Sequence, residues 1–142
     1  GWDQLLRYKS ILDKVETDLP SSKQSITKSI NESRLYVATY NATTFLETLA
    51  ANFPTIIFWN PEFWEIREDA MADFDRLREV GILHDSPESA ARKVESIWCE
   101  VENWWSQPEL QEVVSNFCEK YAKTSTGWLA DWKTELTALT YE

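Results

Sequence analysis

Two short runs of β-branched and aromatic residues flank one helical stretch, and no other feature of the chain constrains its fold as much. Arg34-Leu35-Tyr36-Val37-Ala38-Thr39-Tyr40 has the composition of a buried strand, as does Thr55-Ile56-Ile57-Phe58-Trp59. Between them, Asn41-Ala42-Thr43-Thr44 is a polar turn whose hydroxyls suit a helix N-terminus. Residues Phe45–Phe53 then set Phe45, Leu46, Leu49 and Ala50 on one helical face, until Pro54 stops the helix. Strand, tight turn, short helix and strand make a βαβ unit. Continuously apolar strands joined by a helix predict a parallel sheet covered on both faces.

The flanking segments extend this unit. Trp2–Val15 places Leu5, Tyr8, Leu12 and Val15 at helix spacing, although Lys14–Thr17 also reads as a short edge strand. Pro20-Ser21-Ser22 interrupts, and Ser21 with Gln24 forms a capping box before a short helix carrying Ile26 and Ile30. After Asn60-Pro61, a helix over Ile66–Val80 aligns Ala70, Phe74, Leu77 and Val80, and Gly81 stands at its C-cap. Ile82-Leu83-His84 reads as a third short strand. Ser86-Pro87 starts a helix that runs through Ala90, Val94, Ile97, Trp98, Val101 and Trp105. Ser106-Gln107-Pro108-Glu109 resembles another capping box, followed by the stripe Leu110, Val113, Val114, Phe117, Cys118 and Tyr121. A last helix puts Trp128, Leu129, Trp132, Leu136 and Leu139 on one side. The expected architecture is α/β, half of a doubly wound sheet over residues 1–105, with C-terminal helices over 106–142.

Composition narrows the functions available. The 142 residues carry 14 Lys+Arg and 24 Asp+Glu, so the net charge is 14 − 24 = −10, which disfavours nucleic acid as a partner. With 43% hydrophobic residues the chain can bury a core, as one domain or as a lobe of something larger. No run approaches the roughly 18 apolar residues of a membrane span, and Gly1-Trp2-Asp3-Gln4 is no signal peptide, so a soluble cytoplasmic protein is expected. Cys99 and Cys118 each fall on a helical pattern and read as buried free thiols. With His84 as the single histidine, expected in an exposed loop, no metal site is anticipated. Eight tryptophans against three glycines demand large surfaces to cover, which suggests a partner outside the chain.

Ligands of open parallel sheets bind beyond the carboxyl ends of the strands, at the start of the next helix. Here that place is Tyr40-Asn41-Ala42-Thr43-Thr44. A helix start offers unpaired N–H groups and partial positive charge to a phosphate, and the Thr43 and Thr44 hydroxyls add donors. Glu47, nearly one turn on, is placed to accept from a ribose hydroxyl pair. The bland alternative is a threonine that caps the helix and a Glu47 that only meets water. At the second strand exit, Trp59-Asn60-Pro61-Glu62-Phe63-Trp64-Glu65 gathers aromatics and carboxylates suited to a sugar or base, or to packing onto the sheet. No nucleophile–base pair, Walker-type loop or GxGxxG is present.

The segment Tyr40 to Phe58 resembles the donor-binding part of GT-B glycosyltransferases: small polar turn, Thr, Glu, small-residue helix, Pro, aliphatic strand. More closely, Ala42 to Asn60, Phe63-Trp64-Glu65, Val80-Gly81-Ile82 and His84-Asp85-Ser86-Pro87-Glu88 are similar to the C-terminal part of a transferase family of bacterial O-antigen and other surface-polysaccharide loci. The resemblance implies a Rossmann-like lobe, the C-terminal half of a GT-B fold, in a longer protein whose N-terminal lobe carries the acceptor site. It implies that Asn41, Thr43 and Thr44 contact a diphosphate, that Glu47 holds the donor ribose, and that Trp59, Asn60 and Glu62 face the transferred sugar. Asn41-Ala42 stand where many GT-B members have glycine, and asparagine tolerates the left-handed backbone such a turn can need.

The resulting expectation is a nucleotide-sugar-binding lobe, inactive without its N-terminal lobe, with no cofactor and no metal. Its catalytic residues are not assigned. Membrane contact would come only through a lipid-linked acceptor, peripherally at the inner membrane. The alternative is a non-catalytic module that docks another protein through its Trp-rich helices. On the first view Trp104, Trp105, Trp128 and Trp132 lack their cover; on another they complete the lobe's own core.

Overall fold

A computed structural model of the chain describes residues 4–12, 14 and 26–139, in two compact units, 1–32 and 33–142. The first unit contains helices α1 (Gln4–Ile11) and α2 (Ile26–Asn31). The expected Ser21/Gln24 capping box and all but Lys14 of the alternative strand lie outside the described residues.

The second unit is a mixed α/β structure. Strands β1 (Tyr36–Ala38), β2 (Thr55–Phe58) and β3 (Leu83–His84) form a parallel sheet in the order β1-β2-β3. Val37 lies opposite Ile56, and Ile57 opposite Leu83. The parallel βαβ unit read from the sequence is therefore present, on a smaller scale than half of a doubly wound sheet. β1 is also shorter than Arg34–Tyr40. Arg34 leaves the ladder to donate from Nη1 to the Trp98 carbonyl at 3.3 Å, with its guanidinium 5.8 Å from the Trp98 ring centroid.

Central β2 is enclosed on both faces, Ile56 and Ile57 being fully buried. Edge strand β1 is not: Val37 is 40% exposed, so the expected cover is incomplete there. Helix α3 (Thr43–Ala50) links β1 to β2 and buries Phe45, Thr48 and Leu49. It begins two residues before the expected Phe45 and ends before Asn52, which takes a left-handed φ of 51°. That conformation reverses the chain, and Phe53 N–H then donates to Thr48 O at 2.9 Å.

The expected helix over Ile66–Val80 is shorter in the fold. A 3₁₀ turn over Glu68–Ala70 precedes α4 (Met71–Glu79), and Arg67 folds back on Asp69 through two hydrogen bonds. Gly81 closes α4 at φ 73°, with its N–H on Arg78 O and that of Ile82 on Leu77 O. This is a Schellman closure, sealed by the apolar pair Leu77 and Ile82, both fully buried.

Helix α5 (Pro87–Ile97) starts as read: Ser86 caps it, its hydroxyl accepting from Ser89 N–H at 3.2 Å, with Pro87 in the first turn. It does not continue to Trp105. The chain breaks at Trp98–Glu100, where Glu100 N–H reaches Ile97 O, and resumes as α6 (Val101–Trp105). The break redirects the chain, and α6 then buries Val101, Trp104 and Trp105. It also leaves Trp98 and Cys99 exposed, so the expectation that Cys99 is buried fails. Cys118 is half-buried, and both thiols are free.

Helix α7 (Pro108–Tyr121) carries the expected stripe, packing Leu110, Val113, Val114 and Phe117 against α3 and α4. The capping box before it does not form. Gln107 is the N-cap residue without a side-chain bond, and the Ser106 hydroxyl turns to Asn103 O. Helix α8 (Trp128–Leu139) buries none of its residues.

One polar staple ties α4 to α7. Lys120 Nζ donates to both Asp73 carboxylate oxygens at 2.8 Å, and Tyr121 Oη donates to Oδ2 at 2.7 Å. These bonds hold the Asp73 carboxyl below its ordinary value of 3.8. A carboxyl more acidic in the folded than in the unfolded chain stabilises above the unfolded value, and this is lost as pH falls through the folded one. Urea midpoints measured across that acid range are expected to fall less steeply in Asp73→Asn than in the native chain. Parallel curves would refute the staple.

Candidate functional site

The carboxyl ends of β1 and β2 open side by side because the strands are hydrogen-bonded neighbours. The loop after β2 leans towards the exit of β1, where Trp64 and Tyr40 make a tilted ring contact at 6.4 Å. At the first exit, the N-cap of α3 is Ala42, which supplies no side-chain bond. Thr43 and Thr44 are therefore the first two helical residues, and neither is the cap that the bland reading required. Asn41 does not use the left-handed region, since Asn52 is the non-glycine residue with positive φ among those described.

The charge pattern at this helix start differs from that of the helices that follow it. Helices α4 to α8 each carry Asp or Glu in the first turn, and α3 carries none. The start of α3 therefore has no first-turn carboxylate of its own to counter the positive end of its dipole. Thr43 and Glu47 are exposed, and Asn41 and Thr44 half-buried.

The sequence reading missed Tyr36. Burial raises the pKa of its phenol above the ordinary 10.0; the neighbouring Thr44 side chain opposes that rise, and Tyr40 and Glu47 add to it. Strand alternation held the signal, because Tyr36 shares a face with Ala38, the face that α3 covers. The structure thus groups Tyr36, Thr44 and Glu47.

At the second exit the residues separate. Asn60 and Glu62 are exposed, and Asn60 Oδ1 accepts from Glu62 N–H at 2.9 Å in a local turn. Trp59 is 2% exposed, its indole between Phe45 at 6.0 Å and Phe74 at 6.1 Å. Strand alternation turns it inward beneath α3 and α4, so it serves as core here and not as an open sugar platform.

At the third exit His84 sits on β3, not in an exposed loop. Its ring nitrogens lie 2.9 Å from Ser89 Oγ and 3.2 Å from Gly81 O. A neutral ring satisfies both, with Nε2–H donating to Gly81 and Nδ1 accepting from Ser89. Burial lowers its pKa below 6.5, in keeping with that form. Among the described residues no cluster of three His, Cys, Asp or Glu is arranged to hold a metal ion. None of their helices is long and apolar enough to cross a membrane.

A parallel sheet whose strands exit onto an uncapped helix start and an aromatic loop defines an α/β domain with its candidate site at the strand exits. Over residues 1–136 the sequence matches the model of the LIC12162 family transferase, and the chain belongs to that family of transferases. Neither the curated proteins nor the solved structures contain a match to it.

Proposed function

We propose that this chain is the nucleotide-sugar-binding lobe of a GT-B-like glycosyltransferase acting in bacterial surface-polysaccharide (O-antigen) biosynthesis. The observation that carries the reading is the start of α3: uncapped, without a first-turn carboxylate, at the carboxyl edge of a parallel sheet, with Glu47 beyond it. Membership in a transferase family supports the reaction class.

The chemistry would be displacement at the anomeric carbon of the donor. The acceptor oxygen forms the new bond while the bond to the nucleotide diphosphate breaks, and the diphosphate leaves with the electron pair. The α3 N–H groups and the hydroxyls of Thr43 and Thr44 would stabilise that growing charge, with Asn41 beside them. Glu47 would accept from the ribose hydroxyls, and Asn60 and Glu62 would face the sugar. The base that deprotonates the acceptor would come from an N-terminal lobe of a longer protein, working in the cytoplasm against a lipid-linked acceptor at the inner membrane.

Calorimetric titration with UDP, GDP, CMP and dTDP tests this. One nucleotide is expected to saturate the chain, and Glu47→Ala to weaken it by about 1.5–3 kcal/mol, on the order of tenfold to a hundredfold in Kd. No binding by any nucleotide, or binding indifferent to both Glu47→Ala and Thr44→Val, would overturn the proposal.

A second reading, a module that docks a protein partner, draws on Trp128 and Trp132, which are 59% and 61% exposed. It requires that Trp128→Ala or Trp132→Ala abolish partner binding while Glu47→Ala leaves it intact.

A further inference from the structure

Two aromatic rings at the first and second strand exits have no part in the displacement chemistry. Tyr40 stands immediately before the Asn41–Thr44 turn, and Trp64 belongs to the loop after β2. Their ring centroids lie 6.4 Å apart with the planes tilted by 38°, so the rings touch. Both stay open to solvent, Tyr40 at 52% and Trp64 at 38% exposure. Each of the other ring contacts among the described residues includes at least one buried ring. Core packing accounts for those pairs and not for this one.

The loop after β2 is folded so that Trp64 comes back to Tyr40. Asn60 Oδ1 accepts from Glu62 N–H at 2.9 Å, and Asn60 O accepts from Phe63 N–H at 3.0 Å. Trp64 follows directly. Ordering such a loop costs backbone entropy, and its product is a flat, solvent-facing aromatic shelf that spans two strand exits. The half-buried Tyr36 phenol feels both Tyr40 and Glu47, so one end of the shelf and the carboxylate assigned to the ribose lie around the same side chain.

We infer that Tyr40 and Trp64 form the shelf on which the nucleobase of the donor stacks, an assignment that rests on the nucleotide reading of the α3 site. With the diphosphate at the α3 start and the ribose at Glu47, the base is the remaining flat group, and an aromatic face is what a base recognises without regard to its identity. Because the two rings touch, no slot opens between them. The base therefore lies across their outer faces. Neither 40–47 nor 59–65 contains Lys or Arg, so stacking is the main attraction that these segments add to that of the helix start.

The test uses the whole chain and the tightest binder among UDP, GDP, CMP and dTDP. Tyr40→Ala and Trp64→Ala are each expected to raise its Kd about tenfold, and Trp64→Phe, which keeps a ring, to recover most of that loss. Both positions are exposed, and unchanged urea midpoints show that the variants fold. Proton resonances of the bound base are expected to move upfield in the ring currents of the native chain, more than those of the ribose. That shift should vanish when both rings are replaced by alanine. If Glu47→Ala weakens the nucleotide while neither ring variant does, the shelf is overturned and the nucleotide reading stands. Base resonances without an upfield shift in the native complex overturn the shelf in the same way. If no nucleotide binds, both readings fall.

Discussion

Trp59→Ala is expected to lower the free energy of unfolding by about 3–5 kcal/mol, read from urea denaturation, with a lower midpoint at an unchanged slope. The indole fills the space between Phe45 of α3 and Phe74 of α4, and its removal strips the apolar contacts that seat both helices on the sheet. Trp59→Phe separates packing from polarity. The Trp59 indole N–H is buried with no hydrogen-bond partner among the described residues, so phenylalanine removes an uncompensated donor while retaining most of the ring. Its cost should be a minor part of that of Trp59→Ala. Equal losses for the two variants would mean that Trp59 has a partner or an exposure that this packing excludes.

Trp105→Ala should cost about as much, 3–5 kcal/mol by the same measurement, for a partly different reason. Here the indole N–H is fully employed, donating at 3.0 Å to both the carbonyl and the side-chain oxygen of Asn52. Asn52 Nδ2 donates to Gln111 Oε1 at 3.0 Å, and Gln111 Nε2 donates to Trp105 O at 2.7 Å. This ring of three residues joins the end of α3 to α6 and α7. Trp105→Phe therefore breaks bonds that Trp59→Phe does not, and should be the more destabilising of the two by about 0.5–1.5 kcal/mol. The reverse order would refute the network. Trp128→Ala and Trp132→Ala, on exposed positions of α8, should each fall within about 0.5 kcal/mol of the native chain.

These contrasts divide the tryptophans that composition treated as one group. An excess of indole suggested surfaces awaiting a partner. Trp104 and Trp105 instead complete the core of this unit, at 4% and 6% exposure, while Trp128 and Trp132 remain in solvent. The distinction was not legible because one helix was expected from Pro87 to Trp105. The break at Trp98–Glu100 redirects the chain, and it is α6, on its own axis, that carries Val101, Trp104 and Trp105 into the core. Cys99 was misplaced by the same error.

At the strand exits, the turn between β1 and α3 and its threonines could be read from residue type and order. That neither threonine caps the helix could not, because Ala42 is a poor cap and nothing local made it the N-cap residue. Trp59 was misjudged because it stands next to Asn60 in a segment that reads as a loop, yet it still follows the alternation of β2 into the core. Tyr36 was missed for the complementary reason: its neighbours Thr44 and Glu47 belong to the next element, and strand composition alone does not say which residues of that element it will lie beside.

What the amino-acid order settles is the parallel βαβ core, the Ser86-Pro87 start of α5 and the Gly81 closure of α4. Each depends on periodicity, turn chemistry or capping within a few residues, and so survives without knowledge of the rest of the chain. Tertiary structure decides which aromatic rings are enclosed, which donors are left unpartnered, and how residues 53 positions apart, Asn52 and Trp105, hold the helices together. Those outcomes depend on competition for a limited interior. Burial pays only where distant surfaces meet, and no local pattern records which surfaces those are.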